Sequence, residues 1–205
     1  MLFKSLGFGW VLSIISTMSE QWRICDDVNL QGIISRRMHI GIWRVCFTLQ
    51  ETSGEGLDWD CHHYTYDHSS IPISVLIAQD LMALACLLQS CAILLMYFPL
   101  RVMYNNEKMS KLFLDSFNTG VILNLSSAIC VLISISWNTY SILQKEEIQF
   151  PENLKLPQLL NTQRIGFAIY VGYAAAVCQL LNSLVHLHNK FKRWKKTDPI
   201  YFHDC

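Results

Sequence analysis

The sequence predicts a membrane α-helical fold: a left-handed four-helix transmembrane bundle with a small extracellular antiparallel β-sheet. Three observations lead there. Of the 205 residues, 52% are hydrophobic and only 16% charged. Three apolar runs are each long enough to cross a bilayer, which takes roughly 20 residues for about 30 Å of hydrocarbon. The longest polar stretch alternates in the manner of strands and is acidic, whereas the segments at 99–114 and 188–205 are basic. A formal net charge of zero leaves no global basic surface for nucleic acid, and no nucleic-acid partner is expected.

Taken in order along a single domain of residues 1–205, the first apolar segment covers about 2–19. It is short for a span, and Lys4 has to snorkel to the interface. A cleaved signal ending at Thr17-Met18-Ser19 is the other reading; a retained first span is preferred. Both readings leave residues 20–75 on the same side. In that loop Trp43, Val45 and Phe47 alternate with Ile42, Arg44 and Cys46, which reads as a strand. Leu57 to Tyr66 reads as its hairpin partner across the turn residues Glu51 to Gly56, and Gln21 to Cys25 as a further strand beside the hairpin. Spans follow at about 76–98, 115–137 and 164–187, separated by a loop at 99–114 and a second large-side loop at 138–163, with a tail at 188–205.

Basic residues set the orientation, because short cytoplasmic loops retain Lys and Arg. Arg101, Lys108 and Lys111 fall between the second and third spans, and Lys190, Lys192, Arg193, Lys195 and Lys196 follow the last. Residues 20–75 carry eight acids against four arginines, a net charge of −4. Both termini and the 99–114 loop are therefore expected to be cytoplasmic, and loops 20–75 and 138–163 extracellular.

A sheet of about 50 residues has little core of its own, and the outside is oxidising. A disulfide between Cys46 and Cys61 would stabilise it by about 3 kcal/mol through loop closure; two free thiols are the alternative. Cys25 leaves the pairing open in principle and is read as a half-buried residue or a thiol for intermolecular pairing. Cys86, Cys91, Cys130 and Cys178 are read as packing residues within spans. No enzyme is expected, since few ionisable groups enter the spans and no nucleophile has a visible base. Asp58, Asp60, His62, His63, Asp67 and His68 are read as a solvated acidic rim and not a metal site, because adjacent strand residues point to opposite faces and only Asp60 and His62 share one. No metal or other cofactor is expected.

Trp22, then Gly41-Ile42-Trp43, then Cys46 and Cys61 resemble the claudin signature of Trp, Gly-Leu-Trp, Cys and Cys in the first extracellular loop, with Ile42 in place of leucine. Gly9-Trp10, Ala78 to Met82, Ser136-Trp137 and Phe150-Pro151 sit where claudins have comparable features. Val45-Cys46, Tyr64-Thr65-Tyr66, Ile122-Leu123-Asn124 and Trp137-Asn138 point to a divergent branch of that family. The resemblance implies a multi-pass plasma-membrane protein of tight junctions that associates with itself and other claudins, in one membrane and across the cell contact, to seal the gap or line a weakly selective pore. It also implies pore-lining candidates at Phe47, His62 and Asp60, and contacts to the opposing cell through Phe150 and Pro151. Neither Phe47 nor His62, the positions just after the signature cysteines, supplies a fixed negative charge. Gln79 stands where many claudins have an arginine. The terminus Tyr201 to Cys205 lacks the final tyrosine and valine, so PDZ-scaffold binding is doubtful. The paired juxtamembrane cysteines that are lipidated in many claudins are missing too. The same four-span pattern resembles peripheral myelin protein and the auxiliary subunits of calcium and glutamate channels, which leaves an auxiliary subunit or membrane-adhesion protein as the alternative.

Overall fold

The computed structural model describes residues 2–28, 34–49, 58–64, 73–104, 111–145 and 162–197. Four helices form the body: α1 (Leu2–Met18), α2 (Ile73–Tyr104), α3 (Lys111–Leu143) and α4 (Phe167–Thr197). Among the described residues three helices are long and apolar enough to cross a membrane, and α1 contributes a shorter apolar helix over Leu6–Met18. The helices outrun the apolar stretches that announce them, because helical backbone continues into polar residues at both ends of α2 and α3.

Small and polar side chains let the helices close on one another, as expected where lipid removes the usual hydrophobic drive between them. Ser127 Oγ donates to the Ala85 carbonyl at 2.9 Å, joining α3 to α2. Asn124 Nδ2 donates to the Gln179 carbonyl at 2.9 Å and to Ser183 Oγ at 2.7 Å, joining α3 to α4. Gln179 Nε2 donates to Ser13 Oγ at 2.8 Å, and Ser16 Oγ donates to the Ala168 carbonyl at 2.8 Å, so α1 is held against α4. Trp10 Nε1 donates to Ser90 Oγ at 3.1 Å and ties α1 to α2.

Five strands make one antiparallel sheet in the order β4-β3-β2-β1-β5, with β1 Arg23–Val28, β2 Ile34–Ile40, β3 Arg44–Leu49, β4 Asp58–His63 and β5 Thr162–Ile165. The hairpin expected from alternation is β3–β4, paired with Cys46 opposite Cys61. Three sequence expectations are corrected. The first strand does not lie beside the hairpin, because β2 (ISRRMHI) intervenes; its two arginines interrupt the apolar alternation that marks a strand. Trp43 belongs to a turn before β3, not to the strand, and is exposed while Val45 and Phe47 are buried. Residues 164 and 165, assigned to the last span, end β5 instead, and α4 begins at Phe167.

Candidate functional site

The sheet is joined rigidly to one end of the bundle, and the residues of the joint include most of the signature. Trp22 is 1% exposed and its Nε1 donates to the Ser16 carbonyl at 2.8 Å, closing the end of α1. Ile42 is equally buried, in a cluster with Trp22, Ala78, Met82, Ile135 and Ile169. A β-branched residue thus fills the place of the leucine as a plug between sheet and helices. Gly41 lies so close to Glu20 that an added Cβ would come within 2.9 Å of the Glu20 Cα. The turn itself is fixed from three sides. Gly41 N donates to the Arg44 carbonyl at 2.9 Å, Tyr64 Oη donates to the Gly41 carbonyl at 3.1 Å, and Gln79 Nε2 donates to the Ile42 carbonyl. Burial pushes the Tyr64 phenol far above its ordinary value, with the Arg23 charge acting weakly against it. It remains a neutral donor.

Arg23 is the cation of this joint. Its side chain is fully buried, and one terminal nitrogen donates to Ser74 Oγ at 2.8 Å, Ser141 Oγ at 2.9 Å and Asn138 Oδ1 at 3.3 Å, so β1 is bonded to both α2 and α3. At the far side of β1, Gly166 N donates to the Trp22 carbonyl at 2.9 Å and Ala168 N to the Gln21 carbonyl at 3.0 Å, so β5 and the start of α4 grip the same strand. Cys25 shares the bundle-facing side of the sheet with Met38, Ile40, Val45 and Phe47. It is fully buried, not half-buried, and burial pushes its thiol up to about 11, which removes it from intermolecular pairing. Cys91 is exposed on α2, so it is not a packing residue either, while Cys86, Cys130 and Cys178 are partly buried.

Cys46 and Cys61 form a disulfide across β3 and β4. Glu20 lies against it, with Oε2 3.0 Å from Cys46 Sγ and Oε1 paired to Arg44. Glu20, Cys46 and Cys61 are close enough to suggest metal ligands, but the two sulfurs are spent on each other and only the carboxylate remains. On the same face Asp26, 2% exposed, accepts from Arg37 Nε at 3.1 Å, with Arg164 Nε 3.9 Å away. His39 stacks on Trp59 with ring centroids 4.5 Å apart; burial first, then the Arg37 charge, lowers its pKa.

The pore candidates occupy the other face. Phe47 is only 8% exposed and stacks on His62 at 5.7 Å, while His62 Nε2 meets Asp60 Oδ2 at 3.1 Å. The three are therefore brought together, with Phe47 inside and the partly exposed His62–Asp60 pair at the surface. Phe150 and Pro151 lie outside the described residues. Sequence reasoning counted Arg23, Glu20 and Tyr64 among the loop residues without assigning them this joint. Only Gln79 had a signal, as a departure from arginine.

This arrangement can present a mixed-charge surface in which β4 and β5 are the outer strands among the described residues, above a helical bundle. A model of the PMP-22/EMP/MP20/Claudin family matches residues 1–185. A search among curated proteins returns no match.

Proposed function

Since the chain belongs to the PMP-22/EMP/MP20/Claudin family, we propose that it works as a claudin-like tight-junction protein, most like the divergent claudin-34 type. In this reading α1 is retained as a fourth span, both termini are cytoplasmic and the sheet is extracellular. Sheets of neighbouring copies, and of other claudins, associate within one membrane and across the cell contact to form or modulate a paracellular barrier or weakly selective pore. No catalysis is assigned to it.

The observation that carries the reading is the joint: Trp22, Arg23, Ile42 and Gly166 lock a disulfide-bonded sheet to the bundle, so that a lateral contact made by the sheet fixes the orientation of the whole chain. A loosely tethered loop would not transmit that orientation. In a pore, Asp60 would be the carboxylate nearest the path, with its Oδ2 held by His62 Nε2 at 3.1 Å, and a single partly exposed carboxylate supports weak selectivity over a strong preference for cations. Phe150 and Pro151 are proposed to contact the opposing cell.

Expression in cells that lack claudins tests the proposal. Continuous intramembrane strands in freeze-fracture replicas are expected. Dispersed protein that co-purifies with a channel would replace this reading by that of an auxiliary subunit. Topology is tested separately, by labelling tags placed at either terminus in intact and permeabilised cells.

A further inference from the structure

The middle of the bundle carries more hydrogen-bonding groups than its own contacts use. On α2, Ala85, Gln89, Ala92 and Met96 recur at helical spacing and are all fully buried. On α3, Gly120, Asn124 and Ser127 form a matching buried stripe. The two stripes meet in antiparallel register. Ser127 Oγ donates to the Ala85 carbonyl at 2.9 Å, and a Cβ built on Gly120 would lie 3.2 Å from the Ala92 carbonyl oxygen and 2.5 Å from Met96 Cγ. Gln89 stands one turn from Ala85 and Asn124 one turn from Ser127, between those two contacts, so both amides occupy the same level of the seam.

Both amides are 0% exposed. Asn124 Nδ2 is committed to the Gln179 carbonyl and Ser183 Oγ, while its Oδ1 has no partner among the described residues. Neither Oε1 nor Nε2 of Gln89 has one. Gln89 lies well inside the apolar stretch Ile73–Pro99, where hydrocarbon offers neither donor nor acceptor, and an unpaired amide there is costly. A direct bond from Gln89 Nε2 to Asn124 Oδ1 would still leave Gln89 Oε1 unsatisfied, because the two residues then hold two acceptors and one set of donors. Two acceptors and a donor at one level call for a bridging group that can both donate twice and accept. That group is neutral: the acids of these helices, Asp80 on α2 and Asp115 on α3, are each nine residues away, about 13 Å of helix, and exposed. Amide oxygens alone do not offset the desolvation of an ion.

We propose that the seam between α2 and α3 is a site for one or two buried water molecules, which donate to Asn124 Oδ1 and Gln89 Oε1 and accept from Gln89 Nε2. Through Asn124 the water joins Gln89 to Ser183 and the Gln179 carbonyl of α4, and Gln179 Nε2 in turn reaches Ser13 Oγ of α1 at 2.8 Å. The polar groups of all four helices thereby form one hydrogen-bonded layer across the bundle. The site rests on the packing of the helices and is independent of the tight-junction reading and of the orientation of the chain.

The full chain, crystallised from a lipidic phase at a resolution that shows ordered water, is expected to hold water density within about 3.2 Å of both Gln89 and Asn124 Oδ1. A dry seam, whether the two amides bond each other or stay apart, would overturn the site. Thermal unfolding in lipid nanodiscs tests the same bridge by its energetics. Gln89→Met keeps the length of the side chain but removes the bridge, and is expected to lower the melting temperature by about 4 °C. A melting temperature equal to or above the parent's would overturn the proposal, since removing an amide that had no partner relieves a cost. In an Asn124→Leu background the same Gln89→Met change is expected to shift the melt by less than about half as much; an undiminished shift means that the two residues share no bridge. Should Asn124→Leu fail to fold, the density in the parent decides.

Discussion

Replacing Gly166 by alanine tests the joint between sheet and bundle at its tightest point. A Cβ built there would lie 2.0 Å from the Gln21 carbonyl oxygen and 2.5 Å from its carbon, with the Trp22 carbonyl carbon at 3.0 Å. All three are backbone atoms, so no rotamer change relieves the overlap. To regain ordinary van der Waals distance the strands must separate by roughly 1.4 Å. That displacement breaks the hydrogen bonds of Gly166 N to Trp22 O, now 2.9 Å, and of Ala168 N to Gln21 O, now 3.0 Å. Two interior backbone pairs lost at about 1–3 kcal/mol each give a cost of about 2–6 kcal/mol, a large share of a typical stability of about 5–15 kcal/mol. Thermal unfolding of purified protein is expected to drop by about 10 °C, with much reduced surface delivery by biotinylation. The control is the same change at Gly7 on α1, where the added methyl meets nothing within 4 Å and helix propensity predicts a gain of up to about 1 kcal/mol. A Gly166→Ala protein that melts with the parent and reaches the surface equally well would refute the argument.

Cys61→Ser should lower stability by about 3 kcal/mol, and a reductant should lower the parent's melting temperature to the variant's level without moving the variant further. Gln79→Leu leaves the Ile42 carbonyl without the donor it now has and should cost about 1–3 kcal/mol, whereas Gln79→Arg, which keeps a donor, should stay near the parent in the same melt. Arg23→Met removes the bonds to Ser74, Asn138 and Ser141, and proteolysis of the native protein should then cut between sheet and bundle at least about tenfold faster. The half-buried His39 has a folded pKa below its ordinary 6.5, so the unfolded chain takes the proton first; stability is complete above that ordinary value and falls as pH drops through it toward the lowered one. Melting temperatures compared at about pH 7.5 and about pH 5 should show a decrease that is smaller in His39→Phe.

Helices and hairpin were legible because their signals are local: three long apolar runs, and alternation around Cys46 and Cys61 with a turn between. What was not legible depends on distant pairings. The four-residue strand β5 has too short a pattern to register and exists because Thr162 to Ile165 pair with Asp26 to Arg23, far away in the chain. Arg23 reads as one of four arginines in an acidic loop until α2 and α3 bring Ser74, Asn138 and Ser141 to it. Within the spans, Asn124 and Ser126 attract notice as a glycosylation sequon that membrane burial makes unusable. The structural use of Asn124, a bond to the Gln179 carbonyl, depends on which face of α3 meets α4.

The bonds that hold α1 have a consequence for biosynthesis. Ser13 and Ser16 are satisfied across helices by Gln179 and Ala168, separated from them by 166 and 152 residues, and at about 5–20 residues per second a ribosome needs roughly 10–30 s to traverse that interval. During it the Ser16 hydroxyl lacks the Ala168 carbonyl it donates to, and Ser13 has its bond to the Gly9 carbonyl but not the one it accepts from Gln179. The first segment is therefore the last to be completed, and a chain stalled before α4 exposes a stripe whose Ser13 and Ser16 bonds to α4 are missing to the machinery that retains unfinished membrane proteins. Assembly of the bundle is in effect a check that translation reached its final span.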